Sequence, residues 1–389
     1  MTERFVVQVD ADRFDSLARP TLPVAGAAEL IWNALDADAE TVTVQIGRTE
    51  LDGVDTVSVT DDGHGMTNAE AVRTFKRWGG SWKKTRATTK GGKRSLHGKS
   101  GEGRFRAFAI GSTVEWTSVA DRGDGKLERT RATGSIDTSE FVVGDPEELV
   151  TGATGTTVRI TRPREYANRL LGDGADIWLV TRFAVYLVKY PNIRVTYDGQ
   201  VLDPATIVAR QTESELDRAL GGEHGPPLLR IIEWKHEAKA ISPSLVLCDE
   251  NGVALHEVTD RIDSPPGIHY TAYLMWGGFP QYAHDLLLAD LGHETLTPIV
   301  EAAREAIRSH LDTRLSEQRD EVIERWKTEH VYPTRERPRR RRRRRSGGCS
   351  TSSRRRRPRQ WPRSRRRRGS RSGSSKRRSG NRPAPCTGC

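Results

Sequence analysis

Glu29-Leu-Ile-Trp-Asn33-Ala-Leu-Asp36 is the stretch on which the fold turns. Ala27, Leu30, Ile31, Ala34 and Leu35 recur at helical spacing, so an amphipathic helix is expected from Ala27 to Asp38. Glu29, Asn33 and Asp36 fall on the opposite, polar side. Residues four apart project from one helix face. A carboxylate beside an amide oxygen there offers two things that ATP cleavage needs. One is a group that orients and deprotonates water; the other is an oxygen ligand for Mg²⁺ bridging the phosphates. Glu29 suits the first role and Asn33 the second. Alone, such a pair is an ordinary solvated helix face, and its weight comes from three further motifs downstream in the chain.

Thr41–Ile46 and Asp55–Thr60 alternate as strands, and the second runs into Asp61-Asp-Gly63-His-Gly65-Met66. An Asp at a strand end can accept a hydrogen bond from an adenine amino group, while the glycines let the backbone pass close to the ring. His64 reads as a turn residue. A short helix is expected over Asn68–Trp78. Gly79–Gly103 is then rich in Gly, Lys, Arg, Ser and Thr, a length that compact domains seldom carry without a functional reason. Its end, Gly98-Lys99-Ser100-Gly101-Glu-Gly103, is not a P-loop: Gly92 lies one residue too far upstream, and no apolar strand precedes it. It reads as a phosphate lid. Gly98, Gly101 and Gly103 would offer backbone N–H groups ahead of a helix at Arg104–Ile110, with Lys99 as a direct phosphate contact. Lys83, Lys84, Arg86, Lys90, Lys93 and Arg94 are expected to form a mobile basic surface. Strands follow around Ser112–Val119, Lys126–Ile136 and Thr156–Thr161. In Gly155-Thr156-Thr157, Thr156 could support the adenine through water.

In their order these four motifs resemble the GHKL superfamily: gyrase B subunits, heat-shock-protein-90-type chaperones, sensor histidine kinases and MutL-type mismatch-repair ATPases. The resemblance spans roughly residues 20–162. It implies an α+β fold of the Bergerat type, a two-layer α/β sandwich with a four-stranded sheet under helices, and bound Mg²⁺-ATP. It makes Glu29 the general base, Asn33 the Mg²⁺ ligand and Asp61 the adenine reader, with Gly63, Gly65 and Met66 in the adenine box. Gly98, Lys99, Ser100, Gly101 and Gly103 become the lid over the γ-phosphate, and Thr156 belongs to the last box. Glu29 argues against a histidine kinase, whose corresponding residue is usually Asn.

Residues 165–190 are expected to be helical, and Ile193–Leu202 a hairpin turning at Asp198-Gly199. The ATP-binding domain is placed at 1–204. A second α/β, transducer-like domain is placed at 205–330, with strands at Leu228–Trp234, Ser244–Cys248 and His269–Trp276 and a long helix from Pro298 to Glu329. In hydrolysing relatives such a domain supplies a lysine to the γ-phosphate; Lys235 and Lys239 are candidates by position. By the same resemblance, ATP closes a homodimer and hydrolysis resets it, on a protein client as for chaperones or a DNA client.

Charge divides the chain. Pro338–Cys389 holds 22 of the 63 Lys and Arg and none of the 52 Asp and Glu, so residues 1–337 carry 41 basic against 52 acidic side chains, a balance of −11. The overall +11 therefore resides in the tail. Its Arg, Ser, Gly and Pro composition cannot bury a core, so 338–389 is expected to be disordered. Two readings of it stand open: a nucleic-acid-binding segment acting through counterion release, with Trp361 stacking on a base, or the product of a shifted reading frame in a GC-rich gene. Three of the four cysteines, Cys349, Cys386 and Cys389, lie there. Cys248 is expected to be a buried small residue, and no disulfide or zinc framework is spaced out. No apolar run of membrane-spanning length and no signal peptide is apparent, so the reading is a soluble cytoplasmic protein without a membrane partner. Two further function classes stay open beside the ATPase: a nucleotide-gated binding module that does not hydrolyse, and a nucleic-acid-binding scaffold working through the tail.

Overall fold

The computed structural model describes residues 3–6, 23–76, 89–92, 94, 96–97, 103–138, 140–172, 174–235, 242–258, 262–282, 285–286 and 291–329. All belong to one unit, Met1–Tyr332. The tail, Lys239 and the lid residues Gly98, Lys99, Ser100 and Gly101 lie outside the described residues.

The predicted first helix forms as α1, Pro23–Asp36. Leu30, Ile31, Ala34 and Leu35 are buried, as the spacing demands, each of the larger ones stabilising the fold by about 1.5–3 kcal/mol. Trp32 is buried as well and packs on Phe183 and Tyr186. Asp36 departs from expectation: it is 3% exposed, not solvated with Glu29 and Asn33. Its Oδ1 accepts the backbone N–H of His97 at 2.8 Å, a partner far away in sequence.

The strands of the first half make one sheet. They are β1 Glu3–Val6, β2 Thr41–Arg48, β3 Val54–Asp61, β4 Gly111–Asp121, β5 Leu127–Ser135, β6 Glu140–Val143, β7 Glu147–Leu149, β8 Gly155–Pro163, β9 Arg194–Tyr197 and β10 Gln200–Val201. Their order is β1-β6-β5-β4-β8-β3-β2-β9-β10, with β7 on β5. The sheet is thus ten-stranded, not the four-stranded sheet the resemblance implied, because short edge strands extend it on both sides. β2 and β9 run parallel, and the other pairs are antiparallel. The β9–β10 hairpin turns at Asp198 and Gly199, both at positive φ, as an Asp-Gly turn requires. Helix α1, α2 (Asn68–Lys76) and α3 (Ala175–Lys189) pack with this sheet in one core that includes Val42, Val44, Val57, Phe75, Phe141 and Phe183. The helix expected at Arg104–Ile110 is instead a seven-residue 3-10 turn, Gly103–Ala109.

A second, five-stranded sheet follows: β11 Val208–Glu215, β12 Leu228–Trp234, β13 Ser244–Cys248, β14 Ala254–Val258 and β15 Tyr270–Met275, in the order β11-β12-β15-β13-β14. Its alternating residues serve two cores. Ile232, Trp234, Val246, Cys248, Tyr273 and Met275 join the core shared with α3, and the Tyr273 hydroxyl donates to Thr181 O on that helix. Leu229, Ile231, Leu245, Leu247, Ala272 and Leu274 face the other way, against α4, Leu296–Thr328. That double burial explains the apolar, non-alternating sequence of β15, which is buried throughout. Helix α4 contributes Ile299, Val300, Ala303, Ile307 and Leu311 at helical spacing. Cys248 is fully buried, and burial pushes its thiol well above the ordinary range. No helix among the described residues is long and apolar enough to cross a membrane.

Candidate nucleotide site

Strand pairing assembles the residues around Asp61. Asp61 ends β3 opposite Thr156 on β8, and Thr156 in turn pairs with Ser118 on β4. Three neighbouring strands thus place Asp61, Thr156 and Ser118 in one row. Asp61 Oδ1 accepts the backbone N–H of Gly63 at 2.9 Å and of Thr156 at 3.2 Å. Thr156 Oγ1 and Ser118 Oγ lie 2.9 Å apart, and Ser118 Oγ accepts the N–H of Met66 at 2.8 Å. Thr156 therefore supports Asp61 directly, and Ser118, which no sequence motif marked, ties the row to the glycine turn. Burial pushes Asp61 up to about 6 and the neighbouring Asp62 charge adds to this, against the two N–H bonds that favour its carboxylate.

The turn itself is set by close approach. Gly65 has φ +66, and a Cβ there would lie 2.0 Å from Val119 O, so no other residue fits. The start of the turn is tied to the end of α1, where His64 N–H donates to Ala37 O at 2.9 Å. His64 Nδ1 contacts Gly65 O at 2.7 Å, and burial lowers its pKa. Asp62 serves the backbone around it, since its Oδ1 accepts the N–H groups of Glu40 and Thr41 at 2.8 and 2.9 Å. Gly155 reaches the same place from β8; a Cβ on it would meet Asp61 O at 2.2 Å.

Glu29 and Asn33 are half-buried, one turn apart on α1. The Glu29 carboxylate is surrounded by basic side chains from three elements. His97 Nε2 and Arg106 Nε, the latter from the 3-10 turn, each lie 3.9 Å from Oε1, and Arg182 of α3 adds its charge. At that distance the first two are charge contacts longer than hydrogen bonds. Burial alone would raise the Glu29 pKa, but His97, then Arg106 and Arg182, outweigh it and hold the group at about 2. His97 is fixed in turn. Its ring stacks on Trp32 with centroids 4.4 Å apart, and its backbone is held by Asp36. None of His97, Arg106 and Arg182 was singled out as a partner of Glu29 in the sequence, because no local spacing connects them to α1.

The basic surface expected of Arg94 is not there. Arg94 is 6% exposed, donates from Nη2 to Ala39 O at 2.9 Å and lies 3.8 Å from Asp38. Lys90 is paired with Glu70. Lys83, Lys84, Arg86 and Lys93 lie outside the described residues, and Gly103 opens the 3-10 turn. Lys235 directly follows β12 and donates from Nζ to Thr206 O at 3.3 Å.

Residues 23–144 match the family model described as histidine kinase-, DNA gyrase B-, and HSP90-like ATPase. This segment is a GHKL-type ATPase domain. The match takes in Glu29, Asn33, the Asp61 turn and the lid sequence, and stops short of Thr156. A comparison with curated proteins gave no match. ATP binding is accordingly the activity class of the domain. Among the described residues no group of three or more His, Cys, Asp or Glu could hold a metal ion.

Proposed function

We propose that the protein binds Mg²⁺-ATP and hydrolyses it slowly, using the cycle to change its conformation and self-association. The observation that carries this reading is the arrangement of Asp61. One carboxylate oxygen is occupied by two backbone N–H groups, and Oδ2 has no hydrogen bond among the described residues, which leaves it for the adenine amino group. Asn33 would hold Mg²⁺, which supplies charge neutralisation on the phosphates. Glu29 orients the attacking water and takes its proton as the water oxygen bonds to the γ-phosphorus and the bond to ADP breaks. Gly98, Lys99, Ser100, Gly101 and Gly103 close over the γ-phosphate as a lid. Residues 1–204 act as the ATP-binding domain and 205–330 as the transducer. Closure brings two copies together on a protein or DNA client in the cytoplasm.

One observation favours a second reading, a nucleotide-gated module without turnover. A carboxylate held at about 2 by His97, Arg106 and Arg182 is a weak base, and the Lys235 ammonium is occupied by Thr206 O. Steady-state hydrolysis by the full chain with Mg²⁺ separates the two. Turnover that falls about 10²–10⁴-fold in Glu29→Gln, with ATP still bound, supports the enzyme. Tight ATP binding with no turnover supports the module. Absence of both overturns the proposal.

A further inference from the structure

The two cations nearest Glu29 close on the same oxygen. His97 Nε2 and Arg106 Nε both approach Oε1 at 3.9 Å. Arg106 is a surface side chain, 45% exposed, whereas His97 is 10% exposed and held at two points. The Trp32 indole lies against one face of its ring, with the planes 15° apart, and Asp36 grips its backbone. Trp32 and Asp36 belong to the same helix as Glu29, three and seven residues further on. Helix α1 therefore grips the imidazole through its own side chains and has it delivered back to its own carboxylate.

We infer that His97 is a positioning residue for Glu29: packed beside Oε1, it restricts the carboxylate so that Oε2 is the oxygen that meets the attacking water. The inference rests on the reading of Glu29 as general base. Its physical basis is orientation. A half-buried glutamate on an open helix face has several rotamers, and only those that aim one oxygen at the water are productive; fixing one oxygen selects among them. Arg106 lies as near the same oxygen but, being surface-exposed, fixes no direction. The cost is basicity, consistent with a slow enzyme in which Glu29 orients the water more than it abstracts the proton early.

The test uses the full chain with His97→Phe, His97→Leu and His97→Gln, alone and with Glu29→Gln. Phe keeps a ring on Trp32 without a nitrogen, Leu removes both, and Gln restores an N–H near the same reach. Phe and Leu should lower kcat about 10–100-fold, the scale of a misplaced catalytic group, with KM and Kd for ATP within about twofold. Gln should recover part of kcat. Adding Glu29→Gln to Phe should cause no loss beyond that of Glu29→Gln alone, since the two act as a unit. If Phe does not fold, Leu and Gln give the same contrast. Unchanged kcat in the donor-less variants would overturn the inference, as would kcat and ATP affinity falling together in the order of lost side-chain volume. If Glu29→Gln itself turns over like the native chain, the base assignment has failed instead, and that result is visible separately.

Discussion

Asp61 Oδ1 accepts the backbone N–H of Thr156 across the β3–β8 pairing at 3.2 Å, so the strand register decides which carboxylate oxygen is left for a ligand. Gly63 takes the same oxygen from the turn side. The arrangement of the Asp61 carboxylate is therefore produced by the sheet, not by the Asp-x-Gly-x-Gly motif alone.

This geometry predicts a pH-dependent affinity. With Asp61 raised to about 6, only its ionised form accepts fully from an adenine amino group. ATP binding should weaken about tenfold per pH unit below 6, beyond any change caused by the phosphates. Inosine triphosphate, which lacks the amino group, supplies the control and should not show the extra loss. Asp61→Asn should lose about 10–100-fold in ATP affinity, the worth of a charge-assisted hydrogen bond. The stability sign is opposite. A carboxyl whose folded pKa exceeds its unfolded value contributes stability when protonated, below the ordinary carboxylate range, and loses it as pH rises through 6. At pH 7 the nucleotide-free Asn variant, which keeps an acceptor for Gly63 and Thr156, should be about 1–2 kcal/mol more stable than the native chain. Calorimetry of both proteins with ATP and inosine triphosphate between pH 5 and 8, with thermal melts, checks each part. An ATP affinity that tracks that of inosine triphosphate throughout would refute the assignment.

The parts readable from sequence and the parts that were not differ in a physical way. Leu30, Ile31 and Leu35 could be placed because burial on one helix face imposes a 3.6-residue period within a single segment. The Asp198-Gly199 hairpin could be placed because its φ requirement is local. Asp36 and Arg94 could not. Both look like surface charges, and both are buried where a distant backbone group meets them: His97 N–H for one and Ala39 O for the other. The edge strands Glu3–Val6, Glu140–Val143 and Glu147–Leu149 are too short to show a period of two. The cation set around Glu29 comes from a loop, a 3-10 turn and α3, so only folding brings it together. The Asp61 turn was legible; the row that supports it, through Ser118, was not.

Arg94 leads to a stability prediction that separates burial from nucleotide contact. Its guanidinium is buried against Ala39 O and beside Asp38, directly after the end of α1. Arg94→Ala should leave Ala39 O without its buried donor and Asp38 with only the Gly91 N–H, costing about 2–4 kcal/mol. Arg94→Lys should recover little, because an ammonium has no planar fork to reach both groups. Urea unfolding of the two variants checks this. If Arg94 belonged to a basic surface, both substitutions would be nearly neutral in stability.

The last prediction concerns the other end of the molecule, where Glu233 on β12 anchors α4. Glu233 is buried, with His310 Nε2 at 3.0 Å from Oε1 and Arg314 Nε at 2.8 and 3.0 Å from its two oxygens. Burial alone would raise its pKa, but the bonds and charges of His310 and Arg314 outweigh that and lower it. A carboxylate with a depressed folded pKa contributes stability that is fully present above its ordinary value and is lost as pH falls through the folded one. Removing one partner of such a buried set strands the other, so Arg314→Ala should cost about 3–5 kcal/mol at pH 7. Glu233→Gln should cost somewhat less, since the amide oxygen still accepts from Arg314. For both variants the difference from the native chain should shrink as pH drops below the ordinary carboxylate range, where Glu233 becomes protonated and its attraction for His310 and Arg314 is gone in the native chain too. Denaturant titrations at pH 7, 5 and 3.5 read this directly. A penalty that stays constant across that range would mean that α4 is held by the apolar contacts of Ile299, Val300, Ile307 and Leu311 alone, with the ion cluster contributing shape and no charge-dependent stability.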